Sequence, residues 1–170
     1  AKVAVTDIVD TETTVNIIKQ AGGEAIGIHC DVTDPDNIKS MVAETISTFG
    51  KLDILVNNAA LFADLKQGSF LDIDEAEWDR VMQINTRGVF SCVKAAVPEM
   101  KKNGYGKIIN IASGTVFKGT PMLLHYVSSK GAQVAFTRAL AREVGDDGIT
   151  VNCIAPGLTM SEKVIGDPQW

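Results

Sequence analysis

LDILVNN, residues 52–58, is a short apolar run that stops at two asparagines. Its length is too small for an isolated helix and its apolar residues are nearly continuous, which is the pattern of a strand buried in a sheet. The same design recurs on both sides. Upstream, KVAVTD (2–7) and EAIGIHCD (24–31) are strands, separated by a helical stretch over about 10–21 that ends at Gly22-Gly23. Asp34 as N-cap and Pro35 at the first helical position open a second helix that runs to about Phe49. Downstream, Asp74 and Glu77 form a capping box for a helix continuing through WDRVMQINTRGVFSCVKAAVPEM (78–100), which NGYG (103–106) breaks. KIINIAS (107–113) is the next strand, residues 125–144 form a long helix, and GITVNCIAP (148–156) is a final strand and turn. Strands alternating with helices of this length imply βαβ units. The fold class is therefore α/β, a doubly wound parallel sheet with helices on both faces.

The 170 residues fit one domain and are enough to bury a core. A hydrophobic share of 45% with 22% charged residues is the composition of a soluble globular protein. The net charge of −5 argues against nucleic acid or an anionic membrane as the partner. No apolar run reaches the roughly 18 residues of a membrane span, and no signal peptide opens the chain. Cys30, Cys92 and Cys153 are odd in number and widely spaced. They are expected to be reduced thiols of a cytoplasmic protein, with no metal site.

In a parallel sheet, ligands bind beyond the carboxyl ends of the strands. The chain puts polar and small residues at those ends. Asp7 closes the first strand, where a carboxylate can accept hydrogen bonds from an adenosine ribose and repel a 2′-phosphate. Asp31 and Val32 repeat the arrangement one strand later, where they bracket an adenine edge or start a turn. VNNAA (56–60) offers small residues that let a ligand approach the backbone. Ser113 ends IINIAS, as a carbonyl-binding hydroxyl or as a turn former. The segment APG (155–157) is a further rigid strand end.

HYVSSK (125–130) places Tyr126 and Lys130 four residues apart, hence on one helix face about 5–6 Å apart. A neighbouring ammonium favours the phenolate and lowers the tyrosine pKa, which suits general acid/base work. The pair alone recurs by chance. Asn85, inside a helical stretch, is either a solvent-facing residue or a buried amide at a helix irregularity.

Taken in order, Asp7, Asp31-Val32, NNAA (57–60), QINTRGVF (83–90), NIAS (110–113), HYVSSK and APG resemble the short-chain dehydrogenase/reductase family over essentially the whole chain. Within it the 3-oxoacyl-[acyl-carrier-protein] reductase-like branch is the most similar. The resemblance implies a Rossmann-like, three-layer αβα NAD-binding domain over 1–170, lacking the family's first and last strands. It implies an NAD-dependent oxidoreductase, NAD being preferred to NADP, that interconverts a secondary alcohol and a ketone. Tyr126 would exchange the proton, Lys130 would lower its pKa and bind the nicotinamide ribose, and Ser113 would orient the substrate oxygen. Asn85 would complete a water-linked relay to Lys130. Asp7 would select NAD, Asp31 and Val32 would hold the adenine, and Asn58 and Ala59 would line the cofactor groove. Pro156, Gly157 and Thr159 would lie along the nicotinamide. A homotetramer built on the helices at about 74–101 and 125–144 is also implied.

Two departures stand out. The family's Asn-Asn-Ala-Gly is here NNAA, ending in Ala60, and no glycine-rich turn precedes Ala1. The missing first strand would lie between KVAVTD and DILVNN, leaving unpaired edges. Two other readings are a non-catalytic scaffold or inactive segment of the same fold, and an extended-type relative acting on nucleotide sugars. Phe62, Val116, Phe117, Met122 and Leu123 make either an apolar substrate pocket or helix and interface packing, and His125 could touch substrate but is more ordinarily a surface or packing residue.

Overall fold

The computed structural model describes residues 1–160 and 162–166, so most of the exposed tail expected at GDPQW (166–170) lies outside the described residues. Five strands are β1 (Lys2–Asp7), β2 (Glu24–His29), β3 (Ile54–Asn57), β4 (Gly106–Ile111) and β5 (Ile149–Ile154). All pair in parallel, but in two sheets: β1–β2, and β3–β4–β5 with β4 central. Register aligns Asp7 with His29, Asn57 with Asn110, and Ile111 with Ile154, so the carboxyl ends within each sheet are level. The doubly wound plan is thus present with β1 and β3 unpaired to each other, where the missing strand was expected.

Helices α1 (Glu12–Gln20) and α2 (Pro35–Phe49) cover opposite faces of β1–β2. Ile26 and Ile28 face α2, packing with Ile38, Met41 and Val42. The alternate residue Gly27 faces α1 so closely that an added Cβ would run into Thr11 Oγ1. Gly27→Ala is therefore expected to destabilise the chain by roughly 1–3 kcal/mol, as overpacking does, read as a lower urea midpoint. The sharp ends of α2 have local causes. Asp34 caps the amides of Asp36 and Asn37, Pro35 opens the first turn, and Gly50 takes the left-handed φ of 85° that closes the last.

The other helices are α3 (Glu75–Met82), α4 (Val89–Lys102), α5 (Thr115–Lys118), α6 (Leu124–Val144) and α7 (Glu162–Ile165). A core of Val93, Ala96, Met100, Ile108, Val144, Ile149 and Val151 fixes α4 and α6 on one face of β3–β4–β5. Leu52 and Leu55 belong to this core and to the one under α2, which joins the two sheets through their side chains. Ile54 and Val56, each 52% exposed, point to the opposite face. Helices on both faces therefore hold for β1–β2, while the second sheet is covered on one side among the described residues.

Two details sharpen. The helix expected through 78–100 contains a π-helical segment over Gln83–Gly88 between α3 and α4, the irregularity that one reading of Asn85 allowed. The capping box at α3 is half formed: Asp74 accepts from Ala76 N at 2.9 Å, but Glu77 turns to His125 Nε2 at 3.1 Å. A buried imidazole needing a partner outcompetes a backbone amide that water can serve.

Candidate active site

Helix α6 brings Tyr126 and Lys130 beneath the carboxyl ends of β4 and β5. Both are buried, at 6% and 2% exposure. Ser113, two residues beyond β4, is close enough to the Tyr126 phenol to hold its pKa down in part against burial. Its Oγ accepts from Thr115 Oγ1 at 2.9 Å. The Phe62 ring lies 4.7 Å from that of Tyr126, tilted by 39°. Lys130 Nζ donates to the Ile111 carbonyl at 2.7 Å and stands 5.8 Å from the tyrosine ring centre.

The electrostatics differ from the expectation of an ammonium-activated phenol. Burial raises the Tyr126 pKa, and Ser113 offsets only part of the rise. Burial also pushes the Lys130 ammonium down to about 8, against a smaller upward pull from Cys153. Desolvation disfavours both charged forms, and the ammonium is directed to a carbonyl rather than to the phenol. The pH consequence has a definite sign. Between about 8 and the ordinary lysine value the unfolded chain binds the proton that folded Lys130 has lost, so stability rises with pH by about 3 kcal/mol in all. Above the ordinary phenol value the raised Tyr126 acts the other way. Urea titrations at pH 7.5 and 9.5 should show about 2 kcal/mol of this gain, and Lys130→Met should remove it.

Asn85 sits in the π segment with no exposed surface. Its Oδ1 accepts from Leu61 N at 2.7 Å, and its Nδ2 donates to Leu61 O and Ser129 Oγ at 3.1 Å each. The backbone carbonyl of Asn85 accepts from Gln133 Nε2 at 2.5 Å. Ser129 Oγ in turn donates to Tyr126 O at 2.7 Å. Asn85 therefore clamps the loop after β3 onto the helix carrying Tyr126, reaching that helix at Ser129 and Gln133. The polar chain continues from Gln133 O through Thr137 and Asn110 to Asn57, with links of 2.8 Å. Ser129, Gln133, Thr137 and Asn110 were missed in the sequence. The signal was there: polar residues at 126, 129, 130, 133 and 137 make one helix stripe.

Ser113, Tyr126 and Lys130 line a cleft of about 460 Å3 with Asn58, Ala60, Pro156, Gly157 and Thr159. Ala59 is not among its lining residues. Of the apolar set expected around the substrate, Phe62 and Leu123 line the cleft. Phe117 and Met122 are 70% and 53% exposed, and Val116 packs toward Gly131. His125 is buried and engaged with Glu77. Asp7, Asp31 and Val32 lie apart from the cleft at the ends of β1 and β2, brought together by the Cys30 N to Asp7 O bond of 2.9 Å. Asp7 Oδ1 caps the amides of Ile8 and Val9 and stays exposed. Asp31 accepts from Thr33 N and Oγ1 at 2.8 Å each, and these bonds lower its pKa. Val32 packs on Gly88, where an added Cβ would lie 3.0 Å from Val32 Cγ2, tying this loop to the π segment.

The short chain dehydrogenase family profile matches residues 1–168. The chain is 39% identical to the 3-oxoacyl-[acyl-carrier-protein] reductase FabG of Staphylococcus aureus over 151 residues, covering 89% of this chain and 60% of that protein. It is 42% identical to an uncharacterized oxidoreductase of Thermotoga maritima over 167 residues, covering 97% of this chain and 64% of that one. The crystal structure of NAD+-bound xylitol dehydrogenase superposes with a TM-score of 0.83 at 34% identity, over 91% of this chain and 59% of the other. The chain thus spans about three fifths of the length of the relatives it matches. Its fold, the order of its motifs and these likenesses agree: the chain belongs to the short-chain dehydrogenase family.

Proposed function

We infer that this chain carries the proton-transfer centre of an NAD-linked oxidoreductase interconverting a secondary alcohol and a ketone. The observation that supports this most is the convergence of Ser113, Tyr126 and Lys130 on one cleft at the strand ends. Tyr126 is protonated at neutral pH and can donate to a carbonyl oxygen during reduction, while burial, which raises its pKa, works against that step. Ser113, held by Thr115 beside Tyr126, orients that oxygen. In the reverse direction the ionised form of Tyr126 takes the alcohol proton, with Ser113 holding the alcohol oxygen. Lys130, a buried cation, stabilises negative charge on the phenol as the proton leaves. Asn58, Ala60 and Pro156–Thr159 fit the nicotinamide half of the cofactor, and exposed Asp7 with Asp31 and Val32 fits the adenosine half. When bound, the nicotinamide would supply or accept the hydride. The Asp7 carboxylate favours NAD over the 2′-phosphorylated form. Nicotinamide absorbance with a panel of secondary alcohols tests the reading, using the chain extended by a strand and glycine-rich turn. Absence of turnover across the panel would count against it.

A second reading has its own support. The facing unpaired edges of β1 and β3 favour a 170-residue chain that is inert by itself. Calorimetry with NAD on the folded chain distinguishes the two. The exposed Phe90 of α4 beside Phe136 of α6 lines a groove that suits self-association into a tetramer. Three free thiols suit a reducing, cytoplasmic setting. No helix among the described residues is long and apolar enough to cross a membrane.

A further inference from the structure

The charges around the cleft do not match those of the chain. The protein carries a net charge of −5, yet the described residues lining the cleft include two lysines, Lys118 and Lys130, and no carboxylate. Lys130 is buried against the Ile111 carbonyl with no anionic partner. Lys118 is exposed and forms no ion pair among the described residues.

The position of Lys118 is set by α5. Gly114 O accepts from Lys118 N at 3.2 Å, and Gly119 ends the turn at φ 62°. Thr115 and Lys118 are three residues apart, on one face and about 5–6 Å between Cβ atoms. Thr115 is also the residue whose hydroxyl touches Ser113 Oγ. Lys118 therefore starts from the helix face that carries Thr115, whose hydroxyl touches the Ser113 hydroxyl that would hold the reacting oxygen. Thr115, Thr120 and Gln67 add neutral polar groups along the same wall. Lys118 closes the single turn of α5, and its one ammonium matches the single charge of a carboxylate.

We propose that the substrate is a small hydroxy acid or the matching oxo acid, its carboxylate held by Lys118 and its reacting oxygen by Ser113 and Tyr126. This deepens the oxidoreductase reading and rests on it.

The test compares 4-hydroxypentanoate with its uncharged amide, binding measured by NMR titration of the same extended protein with NAD bound. The acid is expected to bind about tenfold tighter, the size of one charge-assisted hydrogen bond. Lys118→Ala should bring the two within about twofold, Lys118→Arg should retain the preference, and added salt should shrink it. An acid that binds no better than the amide overturns the proposal, absence of binding by both included. So does an acid preference that survives Lys118→Ala. Turnover confined to uncharged alcohols, and lost in Tyr126→Phe, would defeat the hydroxy-acid proposal while leaving the oxidoreductase reading intact. An acid preference without Tyr126-dependent turnover would defeat the reading beneath it.

Discussion

Replacing Tyr126 by Phe is expected to lower kcat by at least about 100-fold, within the range that a positioned general acid contributes. The substitution removes one oxygen from a buried side chain and keeps the ring against Phe62. Packing should therefore survive, and the urea midpoint should move little. NAD affinity should change less than about twofold, because the ring still fills its place beside the cleft. The loss should fall on kcat rather than on KM, since the phenol acts on the reacting oxygen as charge develops there. A variant that turns over within a few-fold of the parent would remove Tyr126 from the chemistry.

Asn85→Leu should cost about 3–5 kcal/mol of folding stability. The buried amide is the sole partner shown for the Leu61 N–H, and it also donates to Leu61 O and Ser129 Oγ. Leucine has a similar volume but leaves the Leu61 groups unpaired inside the protein, at roughly 1–3 kcal/mol each. Domains of this kind have only about 5–15 kcal/mol in total, so the variant should sit near its unfolding threshold. Asn85→Asp keeps the acceptor for Leu61 N but buries a carboxyl that faces the Leu61 carbonyl, so it should lose at least as much. Urea midpoints at constant m-value measure both. A loss below about 1 kcal/mol for the leucine variant would show that the clamp between the β3 loop and α6 is not structural.

Much of this architecture was legible from residues whose effects are local. Asp34, Pro35 and Gly50 bound α2 through their own backbone preferences, and the strands were marked by their apolar runs. The asparagines, the serine and APG marked the strand ends for the same reason: polar and small residues interrupting an apolar sheet. What escaped depends on partners far along the chain. A helix irregularity at Asn85 was one of two readings open in the sequence, but the partners of its amide, Leu61 and Ser129, lie 24 and 44 residues away. Glu77 left its capping role for His125, 48 residues away. The tyrosine–lysine spacing gave their shared helix face correctly. It could not give the carbonyl of Ile111 that holds the ammonium, or the burial that moves both pKa values toward the neutral forms.

The separation of the sheet into two parts has the same origin. Residue patterns identify strands, but which strands pair depends on what lies between them. Here the side chains of Leu52 and Leu55 join the two halves where no backbone ladder does.

The decisive measurement is a crystal structure of the extended protein with NAD and a ketone or alcohol bound. The substrate oxygen is expected within roughly 2.6–3.2 Å of both Tyr126 Oη and Ser113 Oγ, with Lys130 on the same side of the cleft. A substrate oxygen bound out of reach of Tyr126, with the cofactor in place, would contradict the assignment of that phenol as the proton carrier.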